Sequence, residues 1–204
     1  MLIGLTGGIA SGKSLVSGFL KELGVEIIDA DKVSREVVRQ GMPAWHELIK
    51  EFGDVILCPD NTIDRKVLGK KVFSSPKLLK RLNEITHPRI IGDIKGMIQE
   101  RLLKAPDSFI VVDAALLIET NYHTKMDRVI VIYADEKVQA KRLIERDSIS
   151  RTEAEKRIRA QIPLEKKIKY ADFVIDNNGT IKETNRQTIE VYRKIVDLGR
   201  YKKG

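Results

Sequence analysis

The sequence predicts an α/β fold: a five-stranded parallel sheet with helices on both faces and two helical insertions. Three observations predict it. Five short apolar, β-branched runs (Leu2–Leu5, Val25–Ile28, Phe109–Val112, Val129–Tyr133 and Phe173–Ile175) alternate with longer helical patterns, the signature of strand–helix–strand units. Several runs are continuously apolar, as strands covered on both faces require. The first run leads into a glycine-rich turn and then a helical pattern from Lys13 to Leu23. Finally, about 80 residues of mostly helical pattern separate the second and third runs, too many for a simple crossover.

The elements follow in order. Thr6-Gly7-Gly8 ends the first run, and the second ends in the acids Asp29 and Asp31. Ser75 before Pro76 marks a helix start, since proline at the first helical position loses no hydrogen bond. Ser150 with Glu153, and Thr180 with Glu183, read as capping boxes in which each side chain satisfies the other's backbone donor. No repeat, low-complexity tract or Pro/Gly linker interrupts the chain. It reads as a single domain over residues 1–204: a core of about 1–30, 105–140 and 171–204, a helical substrate-binding insertion of about 31–104, and a lid of about 141–170.

Composition narrows the class. With 42% hydrophobic and 32% charged residues, the 204-residue chain holds enough apolar surface for a sizeable core, which excludes a disordered or collagen-like chain. The lone Cys58 excludes an internal disulfide framework and a multi-cysteine metal cluster, and fits a reducing compartment. Met1 to Leu5 is far too short for a signal peptide, and no run approaches the roughly 18 apolar residues of a membrane helix. The expectation is a soluble cytoplasmic protein with no membrane partner. Its net charge is +8 and its pI about 9.5. Ten Lys/Arg against five acids between Lys141 and Lys169 account for five of those eight charges. Most of these cations read as solvated, with one to three in a site.

The chemistry is carried by Gly7-Gly8-Ile9-Ala10-Ser11-Gly12-Lys13-Ser14, a match to the phosphate-binding P-loop pattern between a strand and a helix. Glycines let consecutive backbone N–H groups turn inward around phosphate oxygens, and the helix N-terminus adds its positive end. Lys13 is placed to bridge the β- and γ-phosphates, and the Ser14 hydroxyl to ligate Mg²⁺. Three classes remain open: a small-molecule kinase, a GTPase switch, or a nucleic-acid motor. Thr124-Lys125-Met126-Asp127 and Asp176-Asn177-Asn178-Gly179 match GTPase patterns, but the first precedes a strand instead of following one, and their order is reversed. A motor requires further motifs and more chain. A nucleic-acid partner requires aromatics among the basic residues; aromatics total 5%, and only Tyr170 borders the basic segment.

Carboxylates complete the candidate site. Residues at the C-terminal ends of parallel strands face the ligand crevice, so Asp31 is a candidate general base, while one of Asp29 and Asp31 caps the following helix. Asp113 ends the third run, where it either supports Mg²⁺ or holds the phosphate loop by hydrogen bonds.

Across nearly its whole length the sequence resembles the dephospho-CoA kinase family. The matching residues are the loop from Thr6 to Ser14, Ile28-Asp29-Ala30-Asp31 with Arg35 and Gly41, Ile63-Asp64-Arg65, and His87-Pro88. They continue through Asp113 to Glu119, Gln139, Arg142, Arg146-Asp147, Gln161-Ile162-Pro163 and Asp176 to Gly179. Two positions depart: the family commonly has Pro at Ala115 and Thr at Leu15, and neither removes a phosphate or metal group. The resemblance implies a P-loop NTPase-type three-layer fold with a helical CoA domain and a lid. It implies transfer of the ATP γ-phosphoryl to the ribose 3′-hydroxyl of dephospho-CoA, with Mg²⁺ as cofactor and these two substrates as the partners of a monomer. By that resemblance Asp31 is the base, and Lys13 and Ser14 hold phosphates and Mg²⁺. Gly7, Ala10, Ser11, Gly12 and Leu15 complete the ATP loop, Arg142 is the lid arginine, and Asn177 lies beside the adenine. Thr6, Arg35, Arg65 and His87 line the acceptor side. The alternative is another small-molecule or nucleoside monophosphate kinase on the same scaffold; a nucleotide-dependent RNA-binding or regulatory protein is the reading from a different class.

Overall fold

Parallel pairing of the predicted runs is what the computed structural model shows; it describes residues 1–106 and 108–201. The strands are β1 (Leu2–Gly7), β2 (Glu26–Asp29), β3 (Ile110–Asp113), β4 (Arg128–Tyr133) and β5 (Phe173–Asp176), in the sheet order β2-β3-β1-β4-β5. β1 lies between β3 and β4, with Leu5 level with Asp113 and Gly7 level with Ile132, so the chain segments after β1, β3 and β4 leave the sheet at one end. All four residues of β3 are buried, as the continuously apolar run requires.

Two compact units result: Met1–Ile28 with Lys104–Gly204, and Asp29–Leu103. In the first, α1 (Lys13–Glu22) follows the glycine loop, and α6 (Glu136–Asp147), α7 (Arg151–Arg159), α8 (Leu164–Lys167) and α9 (Ile181–Tyr201) follow the later strands. Ile3, Leu5, Val111, Ile130, Ile132 and Ile175 pack against Val16 and Leu20 of α1 and Val191 and Ile195 of α9. The helical pairs are spaced four apart, which puts each on one face of its helix. Burying each such side chain contributes about 1.5–3 kcal/mol. This core fixes α1, and with it the loop at its start.

The second unit is helical: α2 (Ala30–Val37), α3 (Pro43–Phe52), α4 (Arg65–Phe73) and α5 (Pro76–Lys104). Its buried residues include Val33, Val37, Leu48, Phe52, Leu68, Val72, Ile85 and Ile94. Asp64 caps α4, its carboxylate accepting from Lys66 N at 2.9 Å and Val67 N at 3.0 Å. α5 runs through Pro88, while the Arg89 guanidinium donates to the Ile85 carbonyl at 2.6 Å.

Of the expected caps, Thr180 and Glu183 form the full box: Thr180 N donates to the Glu183 carboxylate at 2.7 Å, and Glu183 N to the Thr180 hydroxyl at 3.2 Å. Ser150 forms only half of one. Its hydroxyl accepts from Glu153 N at 3.2 Å, while the Glu153 carboxylate is drawn to Arg157 Nε at 3.0 Å, a charged donor one helical turn on. The basic tail Lys202-Lys203 lies outside the described residues.

Candidate active site

Alternating backbone handedness shapes the loop after β1. Ala10 (φ 56°) and Gly12 (φ 97°) are left-handed, which turns neighbouring N–H groups toward one side as an anion-binding nest. The other side of the loop is tightly packed. A Cβ on Gly8 would stand 2.6 Å from Gln139 Oε1 and 3.1 Å from Leu164 Cγ, and one on Gly12 would fall on the Asn177 amide nitrogen. Glycine is required there for close approach as much as for backbone angle.

Asn177, just past β5, is 2% exposed. Its Nδ2 donates to the Ser11 carbonyl at 2.7 Å, and its Oδ1 accepts from the Thr184 hydroxyl at 2.7 Å. Arg142 of α6 donates through Nη2 to the Asn177 carbonyl at 2.8 Å, while its Nη1 is buried with no hydrogen-bond partner. Arg142, Asn177 and Ser11 thus form a continuous polar chain beneath the loop. The Ser11 hydroxyl is also buried without a partner.

At the loop's exit the Lys13 ammonium pairs with the Asp113 carboxylate, which is 5% exposed at the end of β3. The contact expected between Asp113 and the phosphate loop is therefore present. Ser14 is exposed beside Lys13, and Leu15 is half-buried. Thr6 is fully buried, its hydroxyl donating to the Ala115 carbonyl at 3.2 Å.

In the helical unit, Asp29 is the cap: its Oδ1 accepts from Lys32 N at 2.8 Å. Asp31 stands in the first turn of α2, so the capping role falls to Asp29 alone. Arg35 in the last turn of α2 lies near Arg65 at the start of α4. Desolvation first, and the Arg35 charge second, hold the Arg65 guanidinium below its ordinary pKa. Among the described residues neither guanidinium has an acidic partner, a pairing of like charges that suits an anionic ligand. His87 lies inside α5 before Pro88, and burial pushes its imidazole below the ordinary value.

Two residues that the motifs did not single out as functional touch the loop. Lys167 is 0% exposed; its Nζ donates to the carbonyls of Gly7 at 3.2 Å and Ala115 at 3.1 Å and pairs with Glu119 Oε1 at 2.8 Å. Gln161 Oε1 accepts from the Ile9 N–H at 2.8 Å. The GTPase-like Asp127 accepts from Leu2 N at 2.7 Å, at the start of β1 and hence at the opposite end of that strand from the phosphate loop.

Among the described residues no group of three or more His, Cys, Asp or Glu could hold a metal. The Ser14 hydroxyl at the start of α1 and the Asp113 carboxylate at the end of β3 are the oxygens on offer. Such a sparse set of hard oxygen donors fits Mg²⁺ bound mainly through substrate phosphates.

Comparison with known proteins decides among the kinases. A family model described as dephospho-CoA kinase matches residues 1–183. A dephospho-CoA kinase from Carboxydothermus hydrogenoformans is 48% identical over 193 residues, covering 95% of this chain and 93% of that protein. The chain belongs to the dephospho-CoA kinase family. Two solved structures agree with it. The dephospho-CoA kinase from Campylobacter jejuni is 30% identical with a TM-score of 0.69, covering 96% of this chain and 97% of that one. A Thermus thermophilus structure is 27% identical with a TM-score of 0.82, covering 95% and 96%. Membership of the dephospho-CoA kinase family makes the chain a P-loop kinase and disfavours other small-molecule kinases. Among the described residues no helix is long and apolar enough to cross a membrane.

Proposed function

We propose that this chain transfers the γ-phosphoryl of ATP to the ribose 3′-hydroxyl of dephospho-CoA, forming coenzyme A. The observation that carries the reading is a strand–glycine loop–helix with Lys13 at its exit, in a chain matching the dephospho-CoA kinase family over residues 1–183. Coupled ADP release with dephospho-CoA, AMP, shikimate and RNA as acceptors tests it. Turnover with dephospho-CoA alone is expected; faster turnover with another acceptor overturns it.

Phosphoryl transfer is chiefly positioning and charge stabilisation, so each residue's part is geometric or electrostatic. The segment from Gly7 to Leu15 cradles the triphosphate, with Lys13 following the transferring group. Ser14, supported by Asp113, would hold Mg²⁺, which would supply charge neutralisation to the triphosphate. Asp31 orients the acceptor hydroxyl and takes its proton. Arg142 carries a buried, unpartnered Nη1, a donor in reserve for phosphate oxygen, and Asn177 borders the adenine. The adjacent cations Arg35 and Arg65, with neutral His87, bind the acceptor's anionic part. A lid of about residues 141–170 excludes water on closing, and a helical insertion of about 31–104 binds the acceptor. A cytoplasmic monomer is the accompanying reading, tested for oligomeric state by sedimentation.

A further inference from the structure

We propose that Gln161, Leu164 and Lys167 clamp the phosphate loop, and that Lys167 is a positioning residue for phosphoryl transfer. The three stand three residues apart and meet successive loop residues in reverse order. Gln161 Oε1 accepts from Ile9 N at 2.8 Å. Leu164, 4% exposed, packs over Gly8, where a Cβ would stand 3.1 Å from its Cγ. Lys167 Nζ donates to the Gly7 carbonyl at 3.2 Å. One segment therefore covers the outer side of the loop from its first residue to its third.

Lys167 does more than cover. Its ammonium, 0% exposed, also donates to the Ala115 carbonyl at 3.1 Å and pairs with Glu119 Oε1 at 2.8 Å. The Ala115 carbonyl receives the Thr6 hydroxyl as well, at 3.2 Å. Asp113, two residues before Ala115, pairs with Lys13. Lys167 thus ties the loop's entry at Gly7 to the turn that follows Asp113, the two backbone segments whose separation sets the Lys13–Asp113 geometry. A buried ion pair is a poor stabilising device, because desolvation offsets most of its attraction. What this one supplies is a fixed distance between two halves of a phosphate site, and misplacement of about 1 Å can cost about a hundredfold in rate. Within the basic segment, α8 is docked on the loop through buried Leu164 and Lys167, whereas Ala154 is the one buried residue of α7.

The inference rests on the kinase reading for its turnover measurement but not for its nucleotide-binding one. The test is the double variant Lys167→Met/Glu119→Gln, which removes both charges at similar volume and strands neither. Gln161→Leu accompanies it as a half-buried site whose loss leaves folding intact. Expected are a wild-type-like Tm, a fall of about ten- to a hundredfold in kcat for the double variant, and weaker binding of a non-hydrolysable ATP analogue by about threefold or more in both. A purely structural role would move Tm and leave these readings alone. Analogue affinity and kcat within about threefold of wild type in both variants overturn the clamp. Should the double variant not fold, Gln161→Leu decides by the same threshold. Should the wild type not phosphorylate dephospho-CoA, the functional reading fails while analogue affinity still decides the clamp.

Discussion

The Asn177 side-chain amide donates to the Ser11 carbonyl at 2.7 Å and occupies the space that a Cβ on Gly12 would need. Gly12→Ala therefore meets two obstacles, this collision and a left-handed backbone at φ 97°. Strain of about 1–3 kcal/mol is expected, relieved by moving the loop away from Asn177. Calorimetric titration should show at least about tenfold weaker ATP-analogue binding. Wild-type affinity would contradict the packing described.

Lys13→Ala removes the cation that pairs with Asp113 and is proposed to follow the transferring phosphoryl. A loss on the order of a hundredfold or more in kcat is expected. Excess EDTA should abolish wild-type turnover, and added Mg²⁺ should restore it. Full activity of the alanine variant, or in EDTA, removes the P-loop kinase reading.

Asp31→Asn separates base from scaffold. Asparagine is nearly isosteric yet cannot take the proton, so kcat should fall by roughly a hundred- to ten-thousandfold with ATP affinity almost unchanged. Asp29 is the cap, and asparagine caps well, so the informative control is Asp29→Ala, expected to cost about 0.5–2 kcal/mol of stability. A folded Asp31→Asn enzyme retaining more than about a tenth of wild-type kcat sinks the base assignment.

Arg65→Gln relieves its repulsion with Arg35 but removes a cation from the proposed acceptor site. KM for dephospho-CoA should rise about tenfold, KM for ATP should stay level, and Tm should hold or rise slightly. Equal changes in both KM values would place Arg65 elsewhere.

His87 gives stability a pH dependence. Burial lowers its folded-state pKa, so the unfolded chain binds more protons once the pH drops below the ordinary histidine value of about 6.5. The contribution is present above that value and is lost as the pH falls toward the folded-state pKa. Urea melts from about pH 8 to about pH 5 should show wild type losing more stability than His87→Gln. Parallel profiles would rule this out.

Local chemistry made part of this protein legible in its sequence. The apolar runs, the loop from Gly7 to Ser14 and the Thr180–Glu183 box need only neighbours a few residues away, so their spacing is their structure. By itself the sequence determined the sheet, the phosphate loop and the resemblance to dephospho-CoA kinases. Only the tertiary structure decided that Lys167 is fully buried while the adjacent Lys166 is exposed, since two like residues in a basic run differ only by where the helix turns them. Only it chose Asp29 over Asp31 as the cap, because the choice depends on where helical angles begin. And only it brought Asn177 to Ser11 across 166 residues, because a hydrogen bond between distant chain segments exists once the sheet has placed both ends.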